Sequence, residues 1–74
     1  MQEGMLWLDD DKHTSLDEKI QRAAEYYKTK YGKLPDFCLV NQAMLQEEKK
    51  VGRIQVRPAH NILQNHFWVG IQAV

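Results

Sequence analysis

The sequence predicts an α+β fold, with one main helix packed on one face of a small mixed sheet of about four strands. Three observations carry that reading. A stretch with helical periodicity has a capping signal at each end, an unbroken apolar run follows a Pro-Asp turn, and the C-terminal third alternates polar and apolar residues as strands do. The order that results is strand, helix, strand, short helical turn, strand, strand, in a single domain covering residues 1–74.

The first strand is "MLWLD", in which Leu6 and Leu8 share one face and Met5 and Trp7 the other. The helix follows from Leu16 to Tyr31. Ser15 is its N-cap, and Glu18 three residues on completes a capping box, each side chain satisfying a backbone amide the helix leaves unpaired. Gly32 supplies the left-handed residue that ends the helix, and Pro35 prevents its resumption. Leu16, Ile20, Ala23, Ala24, Tyr27 and Tyr31 fall on one stripe, with Tyr26 on its flank, and this stripe is expected to face the core. The run "FCLVN" has the length and composition of an interior strand. Asn41 then opens a helical turn through Leu45, "QEEKKVG" reads as a charged loop, and "RIQVR" is a strand with Ile54 and Val56 inward. In the last strand, "HFWVGIQ", Phe67, Val69 and Ile71 share one face while His66, Trp68 and Gly70 share the other.

Ten basic and ten acidic residues cancel, so no global field gathers nucleic acid or anionic lipid. Acid precedes base along the chain, and the first and last turns of the helix account for much of that segregation through the helix dipole. No apolar run is long enough to span a bilayer, and residues 1–4 carry an acid where a secretory signal would be basic. The lone Cys38 has no disulfide partner in the chain and suits a buried, reduced thiol, so a cytoplasmic setting is expected.

One helix covers one face of such a sheet, leaving the other to solvent or to another molecule. The last two strands pair most simply as a hairpin around residues 58–65, and the first two lie parallel through the helical crossover. That hairpin register places Arg57 near His66, Gln55 near Trp68 and Arg53 near Gly70 on the open face. With Met5 and Trp7 pointing the same way, the face would carry two indoles, a thioether and guanidinium groups, a composition enriched at interfaces.

Other constellations are weaker. Asp9, Asp10 and Asp11 resemble a hard-cation cluster, yet no second acidic motif returns to meet them, and a solvated turn before the helix cap explains them. His60, His66 and Cys38 match no recurrent zinc spacing, so no metal is expected. His66 as a general base lacks a nameable nucleophile, since Ser15 caps the helix and Cys38 is buried. Gly4, Gly32, Gly52 and Gly70 are never grouped as a phosphate cradle requires, and no cofactor is expected.

The expected function is therefore a non-enzymatic interaction module that self-associates or docks a protein partner through the open face. Its site residues are Trp7, Arg53, Gln55, Arg57, His66 and Trp68. The alternative is single-stranded nucleic-acid binding by stacking of bases on the same face. A small enzyme with His66 as base stands third.

Overall fold

The computed structural model describes residues 3–72, so Met1 and Gln2, the start of the acidic N-terminal stretch, lie outside it. The elements are β1 (Glu3–Leu8), α1 (Leu16–Tyr31), β2 (Phe37–Asn41), β3 (Lys49–Val51), β4 (Ile54–Ala59) and β5 (His66–Ile71). The fold is α+β, with α1 against one face of a mixed five-stranded sheet of order β1-β5-β2-β4-β3.

The helix forms where its caps dictate. Ser15 is extended and its hydroxyl accepts from the Glu18 amide at 3.2 Å, while Gly32, at φ 76°, closes the helix by donating to the Lys28 carbonyl at 2.7 Å. Ile20, Ala23, Ala24 and Tyr27 are buried against Met5, Cys38, Val40, Val51, Ile54, Val56, Phe67 and Val69. Lys19 is buried too, as the long aliphatic stem of a lysine allows.

The architecture differs from the sequence expectation in four ways. The sheet has five strands rather than about four, because Lys49–Val51 in the expected charged loop pairs with β4 through a tight turn at Gly52 (φ 61°) and Arg53. The β4–β5 hairpin does not form. Instead β2 lies between them, parallel to β4 and antiparallel to β5, as suits a strand with an unbroken apolar run. Likewise β5 separates β1 from β2, to each of which it is antiparallel, so those two run the same way without touching as neighbours. Finally, residues 42–44 form a turn rather than a helix, since Asn41 holds it from its side chain: Oδ1 accepts from the Ala43 amide and Nδ2 donates to the Ile62 carbonyl, each at 2.7 Å.

Among the described residues, no helix is long and apolar enough to cross a membrane.

Candidate interaction face

The register sorts the sheet into cross-strand rows. On the helix side, Met5, Val69, Cys38 and Val56 form one row, and Trp7, Phe67 and Val40 the next. On the uncovered side, Gly4, Gly70, Phe37, Gln55 and Lys50 form a row, and Leu6, Trp68, Leu39 and Arg57 the one beside it. Leu8 and His66 begin a third.

This register corrects the expected site. Trp7 and Met5 are on the helix side: Met5 is core, and Trp7 packs on the core with its ring centroid 4.8 Å from that of Tyr26. The cause is parity, for Trp7 pairs with Phe67 and Leu6 with Trp68, so the two indoles lie on opposite faces. The Trp7 indole nitrogen is buried and, among the described residues, finds no hydrogen-bond acceptor. Arg53 sits exposed in the β3–β4 turn, away from Gly70. Gln55, Arg57, His66 and Trp68 do share the uncovered face, but with β2 between the two pairs: Arg57 meets Leu39 rather than His66, and Gln55 meets Phe37 rather than Trp68.

Phe37 organises the polar end of the face. It is buried although it points away from the helix, with Trp68 edge-on at 6.2 Å and the Arg57 guanidinium 5.7 Å from its ring centroid. Glu48 holds the other side, its Oε1 3.4 Å from Arg57 Nε and its Oε2 accepting from Gln55 Nε2 at 3.3 Å. Arg57 thus faces an aromatic ring and a carboxylate within the chain, although among the described residues its buried Nε makes no hydrogen bond. His66 Nδ1 lies 2.9 Å from the Gln64 carbonyl, which fixes its ring at the mouth of the preceding loop.

The other end is apolar and open. Leu6 is 60% exposed and Leu8 58%, beside a partly exposed Trp68 and Leu39. The Trp68 indole lies across the backbone of Gly4, where an added Cβ would come within 2.0 Å of its Cζ2. Glycine is required there by close approach, and Trp68 thereby leans toward β1. Leu6, Leu8, Leu39 and Gly4 were absent from the sequence-derived site. The signal for Leu6 and Leu8 was present in "MLWL", a strand apolar on both faces, which one helix cannot explain.

The remaining candidates are accounted for locally. Asp11 accepts from the Thr14 hydroxyl at 2.6 Å and the His13 amide at 2.9 Å, and these bonds, with Arg22 nearby, hold its carboxyl below the usual carboxylate range. Arg22 also lies 3.8 Å from Asp9, so these acids dock the loop on the helix. Among the described residues, no group of three or more His, Cys, Asp or Glu side chains is placed to hold a metal. Burial pushes the Cys38 thiol up to about 12, so it stays protonated and is a poor nucleophile at neutral pH. No protein family, curated protein or solved structure matches the chain.

Proposed function

We propose that the chain is a non-enzymatic interaction module that associates with a second copy of itself through the β1 side of the uncovered sheet face. The observation that carries this is the apolar pair Leu6 and Trp68 with Leu8 beside it, open at the sheet's β1 end and interrupted by no charge. Zero net charge adds no long-range repulsion between copies. Most soluble oligomers are homomeric and twofold, and a self-complementary apolar patch is what such an interface uses. Base stacking on the same face is supported less, because Trp7 is on the opposite side and Arg57 is held by Phe37 and Glu48. A cytoplasmic setting fits the unpaired, buried Cys38.

Sedimentation velocity of the wild type and Leu6→Lys, over a wide concentration range and at two salt concentrations, tests the reading. The wild type should dimerise at both salt concentrations, and Leu6→Lys should be monomeric with an unchanged circular dichroism spectrum. A wild type that stays monomeric throughout contradicts it. Binding to single-stranded oligonucleotides that falls steeply with salt would favour the stacking alternative instead.

A further inference from the structure

The geometry points to β1 as the strand that joins the two copies, pairing antiparallel with its own counterpart about a twofold axis at Leu6, so that one sheet runs through both molecules. This rests on the self-association reading and names its mode.

The argument starts from which way the β1 backbone points. The Asp9 amide donates to the Asn65 carbonyl at 2.9 Å, in the same register that pairs Trp7 with Phe67 and Met5 with Val69. Antiparallel ladders alternate between hydrogen-bonded and non-hydrogen-bonded pairs. Asp9, Trp7 and Met5 therefore spend their amides and carbonyls on β5, whereas those of Gly4, Leu6 and Leu8 point out of the sheet. Among the described residues, no backbone hydrogen bond from another element reaches those three. Between Glu3 and Asp9 the strand has no charge and no proline, the devices that commonly blunt an exposed edge.

Two of these three, Leu6 and Leu8, carry the exposed apolar side chains, which fixes the register. With Leu6 opposite the partner's Leu6, Gly4 falls opposite the partner's Leu8 and every outward backbone group gains a counterpart. That register sets leucine against leucine on the uncovered face. It also lays the partner's Leu8 beside Trp68, which already lies across Gly4. Its cost is at the ends, where Glu3 stands opposite the partner's Asp9. Arg22 lies 3.8 Å from Asp9 and lessens the negative charge there. The opposite edge offers no equivalent: β3 is three residues long and begins with two lysines.

The test removes one backbone hydrogen and keeps the side chain. Full-length protein with N-methyl-Leu6 is made by ligating a residue 1–37 thioester to residues 38–74, which begin with Cys38. It is compared with wild type and with Leu39→Lys, a change on the face but on a central strand. Sedimentation should show N-methyl-Leu6 monomeric and Leu39→Lys dimeric. In wild-type dimers mixed from labelled and unlabelled chains, an intermolecular proton contact should join Met5 Hα to the partner's Trp7 Hα, a readout that does not depend on any variant folding. An N-methyl-Leu6 dimer together with a Leu39→Lys monomer overturns the edge pairing while keeping self-association, as two faces packed together. A wild-type dimer lacking the Met5 to Trp7 contact overturns the edge pairing as well, and a monomeric wild type overturns both.

Discussion

The two edge strands of this sheet are built by different rules. β3 is short, lysine-rich and tied down, with Val51 buried under the sheet's apolar layer and Lys49 paired with Asp17 of the helix. β1 is twice as long, holds to β5 and to Tyr26 through Trp7, and presents Leu6 and Leu8 to the outside. Unprotected edges invite pairing with another chain, and proteins commonly shorten or charge them. The chain applies that protection at one end of its sheet and omits it at the other, so the omission marks the end at which a partner is expected.

The contrast can be broken from the middle or sharpened at either end. The largest effect should come from Phe67→Ala. This side chain is fully buried on β5, the strand that carries β1, and its removal should cost about 3–5 kcal/mol in denaturant unfolding, enough to unfold a domain of this size. Next is Leu6→Lys, which should abolish the dimer while shifting the stability of the monomer by no more than about 0.5 kcal/mol, because the side chain is mostly exposed before association. Smallest is Lys49→Ala at the protected edge. It breaks an exposed ion pair with Asp17 and should cost at most about 1 kcal/mol by thermal melting, without changing the oligomeric state. Loss of the dimer in Lys49→Ala would mean that the copies join at β3 rather than at β1.

The helix and its caps were legible because capping is local. Ser15, Glu18 and Gly32 act within a turn of one another, so sequence spacing alone defines their geometry. Four of the five strands were legible for the same reason, down to the alternation of Phe67 and Val69 against Trp68. Strand order was not. Pairing β5 between β1 and β2 depends on contacts distant along the chain, and the short β3 was hidden by its lysines, which read as loop. The site suffered accordingly: Trp68, Gln55, Arg57 and His66 were placed on the right face by parity alone, whereas Trp7 needed the β1–β5 register, which turns it toward the helix. Arg53 was lost to a two-residue turn that only Gly52, with its positive φ, announces.

Amide hydrogen exchange along β1, followed as a function of protein concentration, tests the central claim most directly. The amides of Met5 and Trp7, bonded to β5, should be protected at every concentration, while those of Leu6 and Leu8 should pass from rapid to slow exchange as the dimer forms. Leu6 and Leu8 amides that continue to exchange freely where the protein sediments as a dimer would contradict the account.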